Sequence, residues 1–379
     1  MATARAMAQA VETHYKGAFR TEVSDYMLEL GNQHPDVRTF DAQHKASWKV
    51  ALEYPLLARY GQRLFDTFPA ATRAVLRRQL RPFAARTTED LRRRDPALVV
   101  ANHPFLAVGF AAAQHLKEPA ALNIPIITFA TEPLDASALW AEPRAQRFVV
   151  PSAAARRDLT RMGVPGHKVD LVGYPVQQPF LNAPSQEEAR RALGLADAFT
   201  CLVSLGGEGV GGQTERVVRA LLSLGAHVVV IAGRNEGLKR GLESLAYPNL
   251  TVRGFVTNMA DYLAACDLVV GKAGPASVIE ALAVGRPVLA TSYAGLNERK
   301  LIRFLEERRL GRYVPDLGRL TQEVARYRAS PEMLEGVAQR CAALGLVEMT
   351  EQLAHYLARA ATQGLPRKRL EGRGLDGPF

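Results

Sequence analysis

The chain is predicted to be an α/β protein of two domains, each a parallel sheet covered by helices. Three observations predict it. At 379 residues it exceeds one typical domain and suits two. Short apolar, β-branched runs alternate with helical segments over most of residues 98–290, the order from which parallel sheets with helical crossovers are built. Two of those runs feed glycine-bearing loops that each open a helix, the sequence form of a ligand-binding α/β edge.

The apolar runs lie at Leu98–Ala101, Ile124–Phe129, Arg147–Val150, Val169–Val172, Thr200–Leu205, His227–Ile231, Leu250–Val252, Asp267–Val270 and Pro287–Ala290. Proline and polar residues cluster in "GYPVQQPFLNAPSQEEARRALGL", residues 173–195, and place an interdomain linker near 175–185. Ser185 followed three positions later by Glu188 forms a capping box that opens the next helix. The expected division is 1–178, 179–345 and a last segment, 346–379. From Gly364 that segment carries glycine, proline and charge without periodicity, and is expected to be mobile.

Composition excludes several classes. The three cysteines, Cys201, Cys266 and Cys341, lie far apart in apolar stretches and lack metal-ligand spacing, so they read as reduced core residues of a cytoplasmic protein. No apolar run approaches the ~18 to 20 residues of a membrane span, and no secretory leader is readable. Net charge is +10, and between Arg59 and Arg94 ten arginines face only Asp66, Glu89 and Asp90. Tyr60, Leu64, Phe65, Phe68, Val75, Leu76, Leu80 and Phe83 interleave them. A basic and apolar stretch of this kind suits an anionic membrane surface, or is a solvated helix with its apolar side in the core. No nucleic-acid module accompanies it, and no nucleic-acid partner is expected.

The chemistry concentrates in the second half. In "VVGKAGPASVIEALAVGRPV", residues 269–288, a buried run stops at glycine, lysine and proline and a helix begins. Free backbone N–H groups and the positive end of the helix dipole meet there and can hold an anion, although Gly and Pro also serve simple turns. Upstream, "TCLVSLGGEGVGGQTERVVRALLSLG" places Gly206, Gly207, Gly209, Gly211 and Gly212 between a strand and an amphipathic helix, more glycine than a turn requires. The pattern is neither a P-loop nor a dinucleotide fingerprint. Phe255 and Val256 follow a strand at its C-terminal edge. Glu280 lies beyond Gly274 and Pro275, where its carboxylate could accept hydrogen bonds from a ribose or simply favour the helix dipole.

Together "LGGEGVGG", "AGRN", "GFVTNMADYLAACDLVVGKAGPASVIEALAVGRPV" and "SYAGLNE" resemble the nucleotide-sugar domain of glycosyltransferases of the monogalactosyldiacylglycerol synthase type. More distantly they are similar to the enzyme that adds N-acetylglucosamine to undecaprenyl-linked muramyl pentapeptide. In the first half, "LVVANHPFLA", "ITFATEPLDASALW" and "FVVPSAAARRDLTRMGVPGHKVDLVGYPVQQPF" keep the same order. The resemblance implies a GT-B fold, two Rossmann-like domains facing across a cleft with the last helix returning to the first. It implies inverting transfer from a UDP-sugar to a membrane lipid such as diacylglycerol, by a protein peripheral to the inner face of the cell membrane. No cofactor or metal is implied, and no Asp-x-Asp stands beside a strand.

By the same carry-over Phe255 and Val256 contact uracil and Glu280 holds the ribose. Gly274, Pro275, Ala276 and Ser277 form the diphosphate turn, and Asn297 and Glu298 reach sugar hydroxyls. Gly207, Gly209 and Gly211 line the diphosphate and acceptor region, with Arg234 a further phosphate or nucleotide contact. Lys272 is either electrostatic support or solvent-facing.

One departure bears on catalysis. Members of this type begin with a strand and a glycine loop ending in a histidine near the donor, whereas this sequence opens at "MATARAMAQAVETHYKG", which resembles the helix after that loop. A native start upstream, a piece supplied otherwise and a degenerate member are the readings that remain. The base is then sought among His103 of "ANHPF", which matches the family's His-Pro, and Glu132, with Asp135 beside it. The other seven histidines read as surface or packing residues. The alternative function is a non-catalytic or partner-dependent UDP-sugar-binding protein; an epimerase of similar fold would call for more carboxylates.

Overall fold

The computed structural model describes residues 2–116, 122–204, 214–293 and 295–377, without the side chains of 47–53, 55–59, 296 and 297. The chain divides into two compact units, one of residues 1–177, 294–297 and 346–379, the other of 178–293 and 298–345.

In the first unit six helices, Ala2–His14, Tyr26–Gln33, Pro35–Glu53, Pro55–Thr67, Pro69–Gln79 and Arg81–Arg94, precede a parallel sheet. Its strands are β1 (Val99–Ala101), β2 (Ile126–Phe129), β3 (Arg147–Val150) and β4 (Val169–Leu171), lying in chain order. β2, β3 and β4 are buried at every position, so their apolar residues do not alternate with exposed polar ones, and the charges they carry, Arg147 and Asp170, pair with each other. The helix Leu346–Gln363 packs on Ala2–His14, and Leu353 and Leu357 join Met7, Val11 and Phe129 in one core cluster.

The segment expected to be mobile is pinned to that sheet. Leu171 N–H donates to Leu370 O at 3.1 Å and Glu371 forms a parallel bridge with Leu171, so the tail borders β4. Asp170, fully buried, accepts from Arg147 at 2.7 and 3.0 Å, from Tyr356 Oη at 2.7 Å and from Leu370 N–H at 2.6 Å. Asp376 accepts from the N–H groups of Ala153 and Ala154, each at 2.8 Å, and so caps the helix Ala153–Arg161. Order here comes from backbone pairing and a buried charge network, neither of which leaves a hydrophobic period in the sequence.

The second unit holds six parallel strands in the order β10-β9-β8-β5-β6-β7. They are β5 (Thr200–Ser204), β6 (His227–Ile231), β7 (Leu250–Arg253), β8 (Leu268–Lys272), β9 (Val288–Ser292) and β10 (Gly311–Tyr313). β10 carries no apolar run and was not anticipated; its pairing with β9 defines it. Ser185 and Glu188 close the capping box of the helix Gln186–Leu193, and Gly194 ends it in the left-handed conformation. All three cysteines are free and buried, and burial pushes the thiols of Cys266 and Cys341 up to about 12.

Candidate functional site

The chemistry-bearing residues gather at the C-terminal ends of parallel strands, where open α/β sheets bind ligands. In the second unit, β8 lies between β5 and β9. At Gly271 a Cβ would overlap the carbonyl oxygen of Ser204 on β5, so this position is closed to any larger residue. Gly274 then takes the N-cap position of the helix Pro275–Ala283, and Pro275, lacking an N–H, fills its first turn. Among the described residues no side chain caps this helix. The first-turn N–H groups of Ala276 and Ser277 are therefore left for an anion, with the helix dipole behind them.

Glu280 follows one turn later on the same helix and lines a pocket with Ser204, Met259, Gly271 and Ser277. Among the described residues its carboxylate makes no hydrogen bond or ion pair, and burial alone pushes its pKa up to about 7. At the end of β7, Phe255 is 59 % exposed, unusually open for a large aromatic, and the Arg234 guanidinium lies 5.2 Å above its ring. Val256 beside it is half-buried. Lys272 does not project freely into solvent: its Nζ meets Glu298 Oε1 at 2.5 Å, and Glu298 is itself buried. The carboxylate expected on sugar hydroxyls is thus engaged by the loop lysine, a pairing the sequence did not signal. The side chain of Asn297 and the loop with Gly207, Gly209 and Gly211 lie outside the described residues.

In the first unit the two candidate bases follow adjacent strands. His103 comes just after β1 and caps the helix Pro104–Gln114, its Nδ1 accepting from Phe105 N–H at 3.4 Å. The ring packs against Phe105 and against His44, with centroids 5.2 and 5.6 Å away. Burial, then the neighbouring His44, lowers its pKa to about 4. The ring is neutral, and because Nδ1 accepts, its proton sits on Nε2. In this state Nε2 is a donor rather than a base.

Glu132 follows β2 and has the opposite character. Its Oε2 is buried with no hydrogen bond from any described residue, and burial followed by the charge of Asp135 pushes its pKa up to about 8. The Trp140 indole works against that rise and Asp66 adds to it. Asp66 comes from the helix Pro55–Thr67 and accepts from Ala138 N–H at 2.7 Å. Nothing in the sequence links Asp66 or Trp140 to Glu132; only packing brings them together. Among the described residues no group of three His, Cys, Asp or Glu side chains could hold a metal ion.

The comparisons with known proteins bear on this geometry. Residues 214–330 match the family model for glycosyl transferases group 1, a span that contains Arg234, Phe255, the Gly274–Ser277 turn, Glu280 and Glu298. That span lies almost wholly within the second unit. Monogalactosyldiacylglycerol synthase 1 of Arabidopsis thaliana is 24 % identical over 373 residues, 93 % of this chain and 67 % of its own length. The spinach synthase, Spinacia oleracea, is 23 % identical over 345 residues, covering 85 % of this chain and 63 % of its own. The chain thus spans about two thirds of these relatives.

Solved structures share the fold. Anabaena HepE in complex with UDP and glucose aligns with a TM-score of 0.52 at 17 % identity, over 73 % of this chain and 81 % of that one. The UDP-GlcNAc 2-epimerase of Neisseria meningitidis bound to UDP-GlcNAc gives 0.54 at 14 %, over 75 % and 82 %. The fold is that of the GT-B glycosyltransferases, with parallel α/β sheets in both units as expected. Since an epimerase shares it, chemistry has to be argued from the residues.

Proposed function

We propose that the chain moves a sugar from a UDP-sugar to a diacylglycerol-like lipid, with inversion and without a catalytic metal. The observation that carries this reading is the second unit's half-site: a helix N-terminus and, one turn on, a carboxylate at Glu280 that both lack a side-chain partner among the described residues, and an exposed aromatic at Phe255. Diphosphate, ribose diol and base are the three parts of a nucleotide those groups would take. N–H groups of Ala276 and Ser277 would carry the charge that develops on the leaving UDP, a task that elsewhere falls to a metal ion. Glu280 would accept hydrogen bonds from the ribose, Phe255 and Val256 would contact the uracil, and Arg234, already over Phe255, would add cationic contact. The relatives' names favour galactose and diacylglycerol as the transferred sugar and the acceptor.

In the first unit Glu132 is the better base. As the acceptor oxygen bonds to the anomeric carbon, its proton passes to the Glu132 carboxylate and the bond to the diphosphate breaks with its electron pair leaving on UDP. A pKa near 8 suits that transfer at neutral pH, whereas one near 4 does not. His103 would instead donate its Nε2–H to substrate. The protein would act as a peripheral one, from the cytoplasmic side of a membrane whose lipid is its acceptor; no described helix is long and apolar enough to cross one.

The test is sugar transfer from a panel of UDP-sugars to diacylglycerol in vesicles, with Glu280→Ala and Glu132→Gln as controls. Product lost in both variants supports the reading. Binding of UDP that depends on Glu280 with no sugar moved would favour a UDP-sugar-binding protein without transferase activity, and epimerised UDP-sugar would favour the epimerase chemistry.

A further inference from the structure

The helices Pro55–Thr67 and Pro69–Gln79 are oriented inside out. Of the ten large apolar residues exposed among the described ones, six belong to this short region: Tyr54, Tyr60, Leu64, Phe65, Phe68 and Val75. Tyr60 is 68 %, Leu64 58 % and Phe68 56 % exposed, far beyond what scattered surface side chains require. Helical spacing puts Tyr60, Leu64, Phe65 and Phe68 within an arc of roughly 140°, with Asp66 roughly opposite its centre. Asp66 is tied inward to the backbone of Ala138, so the polar side faces the protein and the apolar side faces outward. On the next helix Ala71, Ala74, Val75 and Arg78 are all exposed at positions that share one face.

The arginines divide in the same way. Arg77 makes two bonds to the fully buried Glu142, at 2.7 and 2.5 Å, and Arg73 donates to Met162 O at 2.8 Å, so these two clamp the region to the first unit. Arg63, Arg78, Arg81 and Arg86 are exposed and form no ion pair with any described residue. An outward apolar stripe flanked by unpaired arginines matches the boundary between acyl chains and anionic headgroups. A water-facing helix would present the reverse pattern.

We propose that this helix pair is the element by which the protein docks on an anionic lipid bilayer, Tyr60, Leu64, Phe65 and Phe68 entering the interface and Arg63, Arg78, Arg81 and Arg86 meeting lipid phosphates. The proposal rests on the lipid-acceptor reading above for its purpose, and on the exposed residues alone for its geometry. Wild type, a Leu64→Ser/Phe65→Ser/Phe68→Ser variant and an Arg63→Glu/Arg78→Glu variant are sedimented with vesicles of phosphatidylcholine alone or mixed with phosphatidylglycerol. Far-UV circular dichroism and a cooperative thermal transition like those of wild type check that each variant is folded.

Wild type is expected to bind the mixed vesicles and not the neutral ones, and each variant to bind at least about tenfold more weakly, two arginines near a charged surface being worth about that much. In Phe68→Trp, the indole emission should shift to the blue and be quenched by lipids brominated on the acyl chain. Variants that bind like wild type, equal binding to neutral vesicles, or an unquenched tryptophan would overturn the proposal. So would a wild-type dimer that the apolar variant dissociates without loss of vesicle binding, since the face would then belong to a second copy. Full vesicle binding without sugar transfer would count against the transferase reading and leave the docking surface standing.

Discussion

Replacing Glu280 by Gln separates a ligand-holding carboxylate from a structural one. In the folded chain burial pushes this group up to about 7, against about 4.5 for an exposed glutamate. Between those values the folded state keeps a proton that the unfolded state has lost, so stability falls as pH rises through the window and the loss is complete above 7. A difference of this size corresponds to about 3 kcal/mol, and partial exposure to water reduces it to about 1–2 kcal/mol. Glutamine cannot ionise and escapes the loss. Relative to wild type the variant should therefore be unchanged at pH 4.5 and more stable by about 1–2 kcal/mol at pH 8, a rise of a few degrees in melting temperature. The cost appears in function: a charge-assisted hydrogen bond to the ribose is lost, and UDP should bind about tenfold more weakly or worse. Thermal unfolding at pH 4.5, 6, 7 and 8 with a UDP titration at pH 8 measures both. A variant whose stability difference from wild type does not change with pH, or whose UDP affinity is unaltered, would refute the reasoning.

Three further outcomes are expected. Glu132→Gln should lower the rate of transfer by about 100-fold or more with little change in UDP affinity, and the wild-type rate should climb with pH and level off above about 8, a profile the variant lacks. Phe255→Ala should leave the melting temperature in place, since the ring is exposed, while weakening UDP by about 1–3 kcal/mol through lost base stacking; an unchanged Kd would remove Phe255 from the site. Asp170→Asn should destabilise the first unit by about 3–5 kcal/mol, because Arg147 is left buried without its counter-charge, and limited proteolysis should then reach the 364–377 segment; a variant as resistant as wild type would mean that the tail is held by other contacts.

The strands and the donor half-site were legible because both are written in contiguous sequence. An apolar run buried on both faces needs no partner to be recognised, and His227–Ile231 and Arg147–Val150 coincide with the strands observed. The turn at Gly274 and Pro275, the unclaimed N–H groups behind it and Glu280 one turn on all follow from local backbone geometry. Tertiary structure decided what depends on neighbours distant in the chain. It set Glu132 and His103 on opposite sides of neutrality, through burial in both cases, joined by the charge of Asp135 in one and by His44 in the other. It joined Lys272 to Glu298, laid the tail along β4, and turned the apolar face of residues 60–68 outward. Hydrophobic period reports that a helix has an apolar side; which way that side faces, and which charges share a low-dielectric site, is settled only when the elements pack.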